Sequence, residues 1–165
     1  MAVRRRRAGL PDRQRGEKHG WLRFDRYRLI HREVLANRWF VIEDRTRFVP
    51  VGSRGQPAAY SCEGVVVCRG GIEIEVRKLL DARLRAGLVE VRGLKYNYHA
   101  KIVGGTVGRN VLRYDSGHAH TPGVYHRHEY DLATGEDRLT TLSREEFPVL
   151  SEVVDELATM YPGAR

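Results

Sequence analysis

The chain has 165 residues, 41% of them apolar and 30% charged, enough for one folded domain with a core of its own. No apolar run approaches the roughly 20 residues of a membrane-spanning helix, so no membrane partner is expected. The formal net charge of +8 is uneven: residues 1–32 carry eleven Lys/Arg against three acids, whereas residues 33–165 carry eighteen of each. Basicity thus belongs to the N-terminal segment, which weakens any reading of the whole body as a polyanion-binding surface.

Residues 1–20 hold Arg4, Arg5, Arg6 and Arg7 and almost nothing apolar to bury. A disordered basic arm is expected, either a contact for phosphates and acidic partners or a plain solvated extension. No apolar segment follows it, which argues against a secretory signal. Residues 21–59 read as an N-terminal extension. Leu29 to Leu35 suits one or two helical turns, and Arg38 to Val51 suits strand, with Asp44-Arg45-Thr46 turning a hairpin.

From residue 60 to 160 the pattern is one α+β domain. Tyr60 to Arg69 is a strand with the apolar centre Val65-Val66-Val67, and Gly70-Gly71 turns it into a second strand, Ile72 to Leu80. There Ile72, Ile74 and Val76 alternate with Glu73, Glu75 and Arg77, the period of a half-buried strand. Cys62 and Cys68 lie six apart in the first strand, too far to bond to each other. That suits a cytoplasmic location. Leu80, Leu84 and Leu88 have helical spacing. Leu94 to Val103 is a strand with Tyr96, Tyr98, Ala100 and Ile102 on one face and Lys95, Asn97, His99 and Lys101 on the other. Val111 to Asp115 follows, then Val124 to Leu132 and a last strand near Arg138 to Leu142. Ser143 and Glu146 form a capping box. The helix behind it aligns Phe147, Leu150, Val153, Val154 and Leu157. The expected architecture is a curled antiparallel sheet covered by this C-terminal amphipathic helix.

Four of the seven histidines fall between Arg113 and Asp131, as two His-x-His pairs: His118 with His120, and His126 with His128. A Thr121-Pro122-Gly123 turn signal separates them. Residues two apart on a strand share a face, so each pair aims two imidazoles the same way. Imidazole exchanges protons near neutral pH and also ligates metals. One reading is metal-free RNA cleavage, which needs a base, an acid and cations for the phosphate. His118, His120, His126, His128 and His99, with Arg113, Lys95, Lys101 and Arg127, supply those types. A second reading is a divalent metal site with Asp115 as a further ligand. A third is that the histidines are strand and turn residues of a non-catalytic module that binds nucleic acid or protein. A phosphate-binding Gly-rich loop and a serine elbow motif are both absent.

The run Val111-Leu112-Arg113-Tyr114-Asp115, a Gly/His turn and then His126-Arg127-His128 resembles the TumE-like toxins of bacterial and archaeal toxin–antitoxin pairs. Leu94-Lys95-Tyr96-Asn97-Tyr98-His99 and the C-terminal helix are also similar to that family, over roughly residues 60–160. Ser116 stands where the family usually has Asn. The resemblance implies a small toxin component encoded beside a DNA-binding antitoxin, with Arg113, Tyr114, Asp115, His126 and His128 as its site and His118 and His120 as loop histidines. Joined to the residue chemistry, it leads to the expectation of a metal-independent ribonuclease without cofactor, acting on RNA, with homodimer formation open. His126 and His128 would move protons, helped by His118 or His120. Arg113 and Lys95 would hold phosphate, Asp115 would orient a histidine, and Tyr114, His99 and Arg127 would contact substrate.

Overall fold

The computed structural model describes residues 20–52, 58–104, 108–118 and 121–163, without the side chains of 118 and 121–123. The arginines at 4–7 and His120 therefore lie outside the described residues. The elements are β1 (Leu22–Arg23), α1 (Phe24–Ala36), β2 (Val41–Asp44), β3 (Arg47–Val51), β4 (Ala59–Cys68), β5 (Ile72–Arg85), β6 (Leu88–Ile102), β7 (Arg109–His118), β8 (Thr121–Tyr130), β9 (Asp137–Leu142) and α2 (Leu150–Met160). All strands join one open antiparallel sheet in the order β2-β4-β5-β6-β7-β8-β9, with β1 on β6 and β3 on β4. The class is α+β, with a C-terminal helix. None of the described helices is long and apolar enough to cross a membrane.

Alternation decides which side chains face inward. Val66, Ile72, Ile74, Val76, Tyr98, Ala100, Leu112 and Tyr114 form the inner face, and α2 lays Leu150, Val153, Val154 and Leu157 against it. Each such aliphatic side chain contributes about 1.5–3 kcal/mol on burial. Phe147 fills the centre, with the rings of Tyr96, Tyr98, Tyr114 and Tyr125 at 5.2 to 6.2 Å. Helix α1 buries Tyr27, Ile30, His31 and Leu35, a single stripe between exposed arginines; Tyr27 joins a second cluster with Leu80 and Val91, and Leu35 joins the main one. Arg38, just past the end of α1, reaches Asp155 on α2 at 2.9 Å.

Four sequence expectations change. Asp44-Arg45-Thr46 does not turn a hairpin: β2 and β3 both pair with β4, one after the other along its length. Thr46 is held at this junction by Asp44, which accepts from its backbone N–H at 2.9 Å. Gly64 lies opposite with φ of 143°, and a Cβ there would overlap the Arg45 carbonyl oxygen. The helical spacing of Leu80, Leu84 and Leu88 is overridden by pairing: β5 continues to Arg85 against β6, and Ala86 and Gly87, both at positive φ, make the turn. Thr121-Pro122-Gly123 lies within β8, where Pro122 is aligned with Gly117. Finally, Ser143 and Glu146 do exchange hydrogen bonds at 2.8 and 3.3 Å, but they close a turn. Pro148 disfavours helix at the preceding residue, and α2 starts at Leu150 after Glu152 accepts the Val149 N–H at 2.9 Å.

Candidate acid–base site on the outer sheet face

The site is built by register. On the face away from the helices, cross-strand pairing makes one row of Arg77, Asn97, Asp115, His126 and Thr141. The next row is Glu75, His99, Arg113, His128 and Leu139. His126 and His128 therefore stand side by side on β8, with ring centroids 6.3 Å apart. Asp115 and Arg113 face them from β7.

Asp115 is the anchor. It is 4% exposed, takes the Asn97 amide as a donor and pairs with Arg113 Nε at 2.6 Å. A buried carboxyl group with these partners is held in one position. The Arg113 side chain is 34% exposed, which leaves its terminal nitrogens accessible from solvent. His128 lies between two carboxylates: Asp137 Oδ2 is 2.8 Å from Nδ1, and Asp115 Oδ2 is 3.9 Å from Nε2. A carboxylate that takes the Nδ1 hydrogen bond fixes the ring and leaves Nε2 as the basic nitrogen. Beyond the strand pair, His99 Nε2 is 2.9 Å from Asn110 Oδ1. Burial, and then Lys101 and Arg113, push its pKa below the ordinary value despite the Asn110 contact. Glu75 is taken up by Arg77 at 2.6 Å and Lys101 at 3.4 Å, so it serves the sheet surface.

Of the residues predicted from sequence, His99, Arg113, Asp115, His126 and His128 come together on this face. Lys95, exposed and two residues before Asn97 on β6, shares the face. Tyr114 and Arg127 do not: they point to the other side, under α2. The Tyr114 hydroxyl donates to Glu156 at 2.6 Å, and Arg127 binds Glu156 at 2.7 Å and Glu129 at 2.6 Å. Burial first, and then the bond to Glu156, raise the Tyr114 pKa. Burial opposes the charge of Arg127, but its bonds to Glu129 and Glu156 prevail and raise its pKa. Alternation along the strands dictates this outcome, because odd positions of β8 oppose even ones. His118 belongs to β7 by its backbone only, and its side chain, like His120, lies outside the described residues. Within the described residues there is no group of three or more His, Cys, Asp or Glu placed to hold a metal ion.

Sequence reasoning missed Asn97, Asp137 and Tyr130 as members of the site. Two signals point to them: Asn97 is two residues before His99, and Tyr130 two after His128. Asp137 follows once Thr134-Gly135-Glu136 is read as the turn that sets β9 against β8, pairing Tyr130 with Asp137.

A second polar cluster, also missed, lies inside. Lys78 occupies an inner-face position of β5 and is 3% exposed. Its Nζ is 5.7 Å from the Tyr27 ring centre, 5.9 Å from that of Tyr98 and 3.5 Å from His31 Nδ1. His31 Nε2 meets Thr46 Oγ1 at 2.8 Å, and Thr46 donates to Asp44 at 2.7 Å. Burial, then Lys78 and Arg32, lower the His31 pKa to about 2. Cys62, opposite Lys78 on β4, and Cys68, at the far end of that strand, are free and buried, and burial raises both thiols, Cys68 to about 12.

The chain matches no protein-family profile, no curated protein and no solved structure.

Proposed function

We propose that this chain is a TumE-like toxin component that cleaves RNA without a metal, with His128 as base and His126 as acid. The observation that carries the reading is the placement of His126 and His128 side by side, facing Asp115 and Arg113 across the β7–β8 pair, with His128 Nδ1 held by Asp137. His128 Nε2 takes the 2′-hydroxyl proton as that oxygen attacks phosphorus. The bond to the 5′ oxygen breaks, and protonated His126 supplies the leaving oxygen with its proton. The products are a 2′,3′-cyclic phosphate and a 5′-hydroxyl, and exchange with water restores both rings. Arg113 binds the phosphate oxygens through its terminal nitrogens while Asp115 holds its Nε. Lys95, on the same face, adds charge along the strand of substrate.

The test is expression of the full chain with and without its neighbouring antitoxin gene, alongside cleavage of RNA by purified protein. His126→Ala and His128→Ala are expected to relieve growth arrest and to slow cleavage by about 10²-fold or more, with chelator without effect. Undiminished toxicity and cleavage in both variants would remove the proposed roles.

The Arg113–Asp115 ion pair at 2.6 Å favours one second reading, a non-catalytic nucleic-acid- or protein-binding module, because it already neutralises much of the cation. On that reading RNA binds to the wild type and to both histidine variants alike and is never cut.

A further inference from the structure

We propose that Tyr130 is the platform for a nucleobase of the bound RNA, in a subsite completed by Asn110 beside the histidine pair. This rests on the ribonucleolytic reading above and extends it to which nucleotide is held. Tyr130 follows His128 by two residues on β8, so both rings stand on the outer face. They are parallel to within 13°, with centroids 6.3 Å apart. Touching ring atoms sit about 3.5–4.0 Å apart, so at this separation the two ring centres are aligned but not in full face-to-face contact. Arg113, the candidate phosphate ligand, lies close to the Tyr130 hydroxyl, where its charge offsets part of the burial that raises the tyrosine's pKa. That proximity sets the ring beside the phosphate position before substrate arrives, which lowers the ordering cost of stacking.

Tyr130 borders two clefts at this end of the sheet. One cleft is lined by Tyr130 with Arg109, Asn110, Asp131 and Leu132, and another by Tyr130 with Glu129, Asp137 and Arg138. Bases stack on aromatic faces irrespective of sequence, and selectivity then comes from groups that read the base edge. Asn110 is such a group. Its Oδ1 is engaged by His99 Nε2 at 2.9 Å, which orients the amide and turns its Nδ2 hydrogens into the donors on offer. A donor-rich edge suits bases with ring carbonyl oxygens, namely uracil, cytosine and guanine, and disfavours adenine.

The experiment is a titration of the full-length protein with inorganic phosphate and, separately, with the four nucleoside 3′-monophosphates. Histidine and tyrosine ring resonances are followed by NMR. Phosphate is expected to move the His126 and His128 signals and leave Tyr130 in place. The uridine, cytidine and guanosine phosphates are expected to move Tyr130 as well and to bind about tenfold tighter than phosphate, the scale of one base stack. Tyr130→Leu should reduce them to the affinity of phosphate, and Tyr130→Phe should keep them within about twofold, since the stacking face survives. Asn110→Ala should erase the preference over adenosine 3′-monophosphate. If the histidine signals move but nucleotides bind no tighter than phosphate and Tyr130 stays still, the subsite is overturned and the acid–base site stands. If neither probe moves the histidines, the acid–base reading is lost and the subsite with it.

Discussion

Two histidines on opposite faces of this sheet have nearly the same neighbours and opposite prospects. His31, on α1 beneath the sheet, has Lys78 at one nitrogen and the Thr46–Asp44 pair at the other. His128, on the outer face, has Asp137 at one nitrogen and Asp115, paired to Arg113, near the other. The difference is access. His31 is 1% exposed and its charged form is suppressed down to a pH of about 2, so it serves as a neutral link that docks α1 on the sheet. The His128 side chain keeps 15% of its surface and can meet an outside molecule. A carboxylate and a cation beside an imidazole are therefore not enough to mark a chemical site, because the face of the sheet settles it.

The largest expected effect tests the outer member. His128→Ala should lower RNA cleavage by about 10²- to 10⁴-fold while thermal melting stays within a few degrees. A variant that loses its fold instead would move His128 into the same class as His31. The next effect tests the inner member. Lys78 has no carboxylate within ion-pair distance among the described residues, its neighbours being His31 and the rings of Tyr27 and Tyr98, and burying an amino group without a counter-charge is costly. Lys78→Met should thus raise unfolding stability by about 1–3 kcal/mol in urea denaturation. A clear loss would show the amino group to be a necessary partner of His31.

A smaller effect concerns pH. The folded-state pKa of His31 is depressed from 6.5 to about 2, so the unfolded chain takes a proton that the folded chain refuses. Stability from this group is complete above pH 6.5 and is lost as pH falls toward 2, by up to about 1.4 kcal/mol per pH unit. Denaturation between pH 6.5 and 5, above the carboxylate range, reads it together with His99, whose pKa is also lowered, and His31→Gln should reduce the slope there. The smallest expectation is no effect at all: Cys62 and Cys68 should ignore a thiol reagent in native protein and react fully in denaturant, since burial opposes both thiolates.

The strands were largely legible because their periodicity is strong. Tyr96, Tyr98 and Ala100 face inward and Asn97 and His99 outward, as alternation requires, and the same parity separates His126 and His128 from Tyr125 and Arg127. What parity cannot supply is which strands pair. The handover of β4 from β2 to β3 depends on Gly64 admitting the Arg45 backbone, a contact nineteen residues away in the chain. Helix α1 was half hidden because its buried stripe includes Tyr27 and His31, which are not obviously apolar, and arginines surround it. Lys78 was invisible for a related reason: alternation puts it in a row with Ile74 and Val76, but a lysine there does not read as core, and only α1 folding over it makes it interior. Asp137 entered the site through a turn, so its role depended on a register that spacing left undetermined.

The pairing of the first strands with later ones also has a consequence for synthesis. Residues 41–51 find their hydrogen-bond partners on residues 59–68, and Leu22 finds its partner at Val91. As the chain leaves the ribosome, Leu22 must wait for Val91, about seventy residues later, before β1 can pair. During that interval Tyr27, Ile30 and Leu35 have no surface to cover, so the nascent chain is most open to a chaperone or a partner bound at its early end.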